Sequence, residues 1–136
     1  MTPSKARSLT ETDIPWQVPN QAVRPADKTK VKALISEDVP GALGLDGRVS
    51  LNLTRLDPGE RHLLHFHKTE TILYYVLQGQ AKLTLGEKVI EARPGVAAYV
   101  PAGTNHAVFN DGAAPFLMAA FVLRSRGKEL TTEWLE

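Results

Sequence analysis

The 136-residue sequence contains no cysteine. That excludes disulfides, thiolate metal sites, iron–sulfur clusters and cysteine nucleophiles together, so any metal chemistry must use nitrogen and oxygen ligands. An excess of one charge is also lacking: 16 basic residues stand against 15 acidic, a net charge of +1. So even a balance, with no basic stripe, argues against a nucleic-acid partner. No apolar run approaches the roughly 20 residues a membrane span requires, so no membrane partner is expected. The stretch Met1 to Asp13 is polar and has no apolar signal region, which points to a cytoplasmic location. Helical periodicity is missing too; only Lys128–Leu135 could give one short terminal turn.

What is present is a regular series of turn signals. They fall at Asp57-Pro58-Gly59, Gln78-Gly79, Gly86-Glu87, Pro94-Gly95, Pro101-Ala102-Gly103 and Asn110-Asp111-Gly112. Between them lie about eight strand-like stretches: 30–37, 49–56, 71–78, 80–85, 88–93, 97–100, 107–110 and 116–123. That rhythm predicts an all-β sandwich or barrel over residues 31–125. Residues 1–30, with Pro3, Pro15, Pro19 and Pro25, read as an extended N-terminal arm in which Ile14-Pro15-Trp16 should dock; 126–136 form a tail. Val49, Leu51 and Leu53 alternate with Ser50, Asn52 and Thr54, and the apolar set is expected to face inward. Phe116–Leu123 is apolar on both faces, which predicts a strand covered on both sides. Tyr75 and Tyr99 read as packing residues.

Three of the four histidines crowd one stretch, His62, His65 and His67, with Glu70 three residues beyond. Strand alternation puts His65 and His67 on one face, where imidazoles suit zinc, iron, nickel or copper. His62 has the opposite parity and is expected to be exposed or at a subunit contact. His106 lies far along the chain and must be brought across by the fold.

These residues carry a family resemblance. Gly59-x5-His65-x-His67, running on to Gly79, resembles the first cupin motif, and Gly95-x5-Pro101-x-Gly103-x2-His106-x3-Asn110 matches the second at every defining position. The resemblance implies a cupin-type jelly-roll β-barrel, with His65, His67 and His106 as metal ligands. It also makes Gly59, Gly79, Gly95, Pro101 and Gly103 turn-formers. One position departs from the pattern, because Ile72 stands where the family places its glutamate ligand. Either Glu70 reaches the metal from a shifted strand start, or Ile72 fills the slot and leaves a three-histidine site with an extra open position. Tyr74 and Arg55 point toward the lumen on parity. They are candidate catalytic residues, Tyr74 as a hydrogen-bond donor or acid and Arg55 as a partner for an anionic substrate.

The function these readings imply is that of a mononuclear metal-dependent cupin enzyme with one divalent ion per chain: iron(II), zinc, nickel or manganese. Its substrate would be a small, oxygen-rich, anionic molecule. Dioxygenase-like chemistry is preferred, with isomerase or lyase chemistry beside it. The alternative is a non-catalytic metal-containing module that binds or senses a small ligand. A homodimer is expected, with Ile14 and Trp16 of the arm packed on the partner.

Overall fold

A computed structural model describes residues 6–37, 39, 41–44, 49–124 and 131–136. In chain order the strands are β1 (Lys30–Ile35), β2 (Val49–Leu56), β3 (Arg61–Phe66), β4 (Thr71–Gln78), β5 (Ala81–Leu85), β6 (Lys88–Ala92), β7 (Ala97–Val100), β8 (His106–Phe109), β9 (Phe116–Leu123) and β10 (Glu133–Trp134). They form two antiparallel five-stranded sheets, ordered β1-β2-β9-β4-β7 and β10-β3-β8-β5-β6. The all-β jelly roll expected from the sequence is the fold observed.

The sheets pack face to face as alternation requires. Leu56, Val76, Leu83, Phe116 and Val108, each at most 1% exposed, fill one end of the interior. Gly79 closes the β4–β5 turn at φ +77°, and a Cβ there would lie 2.4 Å from the Pro115 carbonyl oxygen. Only glycine satisfies both conditions. Asn110 is fully buried; its amide nitrogen donates to Leu56 O and Ala114 O, both at 2.9 Å, and its side-chain oxygen accepts from Gly112 N at 3.0 Å. The Asn-Asp-Gly turn is thereby fixed to the end of β2.

Several expectations are corrected here. β2 does alternate, but with the opposite sense: Ser50, Asn52 and Thr54 pair with Val122, Ala120 and Met118 and line an internal cavity. Val49, Leu51, Leu53 and Arg55 therefore lie on the outer face. That end of the interior is a partly polar cavity rather than a core, so hydrophobicity does not mark the inward side. β9 is covered on one face only, with Phe121 and Leu123 37% and 38% exposed on the other. Tyr75 and Tyr99 stand in solvent on the same outer face.

Both chain ends are tied to the sheets. Gln17 forms a bridge with Val31, and Lys32 Nζ lies 4.8 Å from the centre of the Trp16 ring while pairing with Glu11. Trp16 is half-buried against Lys32 of its own chain. Of the tail, the described part, residues 131–136, contains a strand where a helical turn was considered; Lys128 lies outside the described residues. β10 runs along β3, opposite Phe66 and His65, which makes it a wall of the cavity.

Candidate metal centre

His65 and His106 sit directly opposite each other on β3 and β8, and His67 follows at the end of β3. Topology alone thus joins residues about forty positions apart. One ring nitrogen from each of the three lies within 4.8 Å of the others. Each ring is oriented by its second nitrogen: Nδ1 of His65 donates to Leu63 O at 2.6 Å, that of His67 to Thr131 O at 2.7 Å, and that of His106 to Thr104 O at 2.9 Å. A carbonyl only accepts, so Nδ1 carries the proton and Nε2 the lone pair.

Burial, the largest influence on all three, lowers their pKa values, that of His65 to about 2 and that of His106 to about 4. Nearby histidines add to the effect for each. The rings are therefore neutral, the state a metal ion requires. His106 Nε2 is buried without a hydrogen-bond partner. Such an orphan is costly unless something binds it. A divalent ion among the three imidazoles satisfies it, and this donor set fits one.

The centre opens on a cavity of about 360 Å³. Its polar side carries Ser50, Asn52 and Thr54, its apolar side Ile72, Met118 and Val122, and Trp134 and Thr132 of the tail close one wall. The family model of the cupin domain matches residues 52–122, the stretch that contains all three histidines. The chain is a cupin.

One further sequence and two solved structures resemble it. An uncharacterised protein of Methanocaldococcus jannaschii is 37% identical over 57 residues, 42% of this chain and 46% of that one. The chain thus matches about half the length of that relative. The polyketide cyclase RemF from Streptomyces resistomycificus superposes with a TM-score of 0.76 at 24% identity, covering 97% of this cupin and 87% of the cyclase. A sugar phosphate isomerase from Silicibacter pomeroyi gives 0.72 at 20% identity, covering 95% and 93%. At these identities the two structures speak for the fold alone.

The other candidates from the sequence are placed as follows in this cupin. Ile72 lines the cavity, in the slot where the family pattern has its glutamate. Glu70 is 1% exposed and turned toward the tail: Oε1 accepts from Thr131 N and from Thr69 Oγ1, both at 3.0 Å, and Oε2 from Thr131 Oγ1 at 3.4 Å. It stands outside the three-histidine group, and it is not solvated either. Arg55, on the outer face of β2, pairs with Asp57 at 2.8 Å and does not enter the cavity. Tyr74 does line it, 6.2 Å from the His106 ring between centroids. Burial, aided by the charge of Asp27, raises its pKa, so the hydroxyl stays protonated.

Two residues that sequence reasoning placed elsewhere also meet here. The pairing of β3 with β8 shifts register between His62 and His65, a bulge that cancels the parity difference and turns both rings inward. His62 lines the cavity, 4.3 Å from the His65 ring. Behind it is Asp27, fully buried within the segment expected to be an extended arm. The one signal in the sequence was the polar run Asp27-Lys28-Thr29 leading straight into a strand, which gives no hint of burial.

Proposed function

We propose that this cupin is a mononuclear metal-dependent enzyme of the isomerase or lyase kind, acting on a small, oxygen-rich, anionic carbonyl compound. The observation that supports it is the ligand set, three neutral imidazoles each oriented by a backbone carbonyl, with His106 Nε2 buried and unpaired. A divalent ion held there, whether iron(II), zinc, nickel or manganese, supplies Lewis-acid polarisation of a carbonyl oxygen. Neutral ligands leave the dication charge uncompensated, and this favours an anionic ligand. Ser50, Asn52 and Thr54 offer hydrogen bonds to oxygen substituents, while Met118 and Val122 give the pocket its apolar side. Tyr74, kept protonated, can donate to a developing enolate oxygen. That donor serves isomerisation or elimination better than the dioxygen cleavage preferred from the sequence. The cyclase and isomerase among the neighbours share the fold and assign no substrate.

Elemental analysis of protein purified without chelators or metal-affinity resin tests the reading. Close to one divalent ion per chain is expected, and none in His106→Ala with the fold retained by circular dichroism. Metal-free wild type, or a His106→Ala protein that keeps its ion, would overturn it. Oxygen uptake in the presence of iron(II) and a substrate would restore the dioxygenase reading.

A further inference from the structure

The Asp27–His62 pair lies beside the metal ligands and belongs to none of their hydrogen bonds. Asp27 is 0% exposed, and its carboxylate is held by four donors. Oδ2 accepts from His62 Nδ1 at 2.8 Å and Leu63 N at 2.9 Å; Oδ1 accepts from Thr29 N at 3.1 Å and Asn20 Nδ2 at 3.5 Å. Burial works to raise the pKa of Asp27, but His62, Thr29 and Leu63 outweigh it and keep the carboxylate ionised. A buried charge is tolerated only with such partners, and two separate segments are shaped to provide them. One is the 20–29 stretch. The other is the bulge in β3 that turns His62 inward.

The arrangement fixes the imidazole. With Nδ1 donating to Asp27, Nε2 is the ring atom left for an occupant of the cavity. Nε2 is not one of the converging nitrogens: the group within 4.8 Å comprises His65, His67 and His106. His62 is thus oriented beside the centre and stands outside the three-histidine group. A histidine backed by a buried carboxylate is a proton-transfer arrangement found on unrelated folds. Trp134 packs 6.2 Å from the His62 ring, an apolar neighbour on the tail side.

We infer that His62 is the general base of this site and Asp27 its positioning residue, and that the substrate is a small 2-oxo acid bearing a proton on the carbon next to its carbonyl. This rests on the metal-dependent reading above and gives it a substrate class. The step balances without a co-reactant. His62 Nε2 takes the proton, the C–H electron pair becomes the enolate C=C bond, and the carbonyl π pair moves onto oxygen. The imidazolium formed is stabilised by Asp27 and returns the proton either to the same carbon as the enolate pair moves back, which inverts it when delivered from the other face, or to a leaving group whose bond to the next carbon breaks as the oxygen pair re-forms the carbonyl and the enolate pair forms the new C=C bond. Tyr74, on the opposite sheet, faces the same space and donates to the enolate oxygen.

Pyruvate is the probe, and the readout is exchange of its methyl protons with deuterium by proton NMR, using the metal-loaded full chain. Wild type should bind pyruvate by calorimetry and catalyse exchange. His62→Gln should keep its metal and pyruvate affinity and lose exchange by about 10²–10⁴-fold. Asp27→Asn should lose about 10²-fold or more in turnover with the pyruvate affinity unchanged, because an amide donor favours the wrong tautomer. ¹⁵N-histidine spectra of the metal-free protein should show His62 protonated at Nδ1 in wild type and not in Asp27→Asn. Exchange that is absent from metal-loaded wild type, or unchanged in His62→Gln, overturns the inference, as does a failure to bind pyruvate. Absence of metal from wild type instead overturns the reading on which it rests.

Discussion

At the scale of single residues, the meeting of His65, His67 and His106 was legible and their surroundings were not. His65 and His67 stand two residues apart, a step that returns a side chain to the same face of an extended chain, and strand pairing sets His106 opposite His65. Parity failed at the two positions next to irregularities. His62 is turned inward by the bulge in β3, and Glu70 precedes β4, where strand alternation does not apply. The Glu70 oxygens hold Thr131 and so tie the tail to the start of β4. Glu70→Ala should leave the Thr131 N–H without its partner and destabilise the protein by about 1–3 kcal/mol. Glu70→Gln retains an acceptor and should cost less, with metal affinity in both variants within a few-fold of wild type. Thermal denaturation and metal titration of the apo-proteins check both halves. A tenfold loss of affinity in Glu70→Gln would return the carboxylate to the ligand set.

At the scale of elements, β1, β2 and β4 to β9 each correspond to a strand-like stretch of the sequence, and β3 and β10 do not. β3 is absent from the strand-like stretches, although alternation is applied to its histidines, since Arg61–Phe66 has neither clean alternation nor a terminating glycine. β10 is a two-residue strand whose existence depends on pairing with β3, a tertiary effect no local pattern records. Yet this short strand matters to the site. Thr131 O takes the Nδ1 proton of His67, Trp134 packs 5.2 Å from the His65 ring, and Leu135 N donates to Leu64 O at 2.9 Å. Glu136 completes the attachment through Arg61 at 2.7 Å and Leu64 N at 2.8 Å. Removing residues 131–136 should therefore weaken metal binding by about 10–100-fold, the usual effect of losing a group that orients a ligand histidine. A competition titration of the truncated protein measures this. Affinity equal to wild type would show that β10 covers the cavity without tuning the centre.

For the whole molecule, the sequence supplied the architecture and misjudged which surfaces are covered. A dimer built on the N-terminal arm is expected from the sequence because Trp16 needs an apolar partner; within its own chain Trp16 is half-buried and meets the Lys32 ammonium. The apolar surface left without cover is elsewhere. On the outer face of the first sheet, Phe121 lies opposite both Leu51 and Leu73, and Leu73 opposite Tyr99. Tyr75 and Leu123 extend the patch, with exposures of 46% and 38%, while Tyr99 reaches 66%. No charged residue interrupts the face across β9, β4 and β7, since Leu117, Ala119, Thr71 and Ala97 fill its remaining positions. Contiguous exposed apolar surface of this kind marks an interaction site more often than chance. A second copy is the partner that suits it, because a two-fold interface sets the same patch against itself and an uncharged patch meets no like-charge repulsion on doing so. We propose that a homodimer forms through this sheet. Tyr99→Lys combined with Phe121→Glu should convert the dimer to monomer in light scattering while the metal centre, on the inner side of the barrel, keeps its ion. Deleting residues 1–10, ahead of the docked segment, should leave the dimer intact. A wild-type monomer at micromolar concentration, or a double variant that remains dimeric, would exclude this face as the contact.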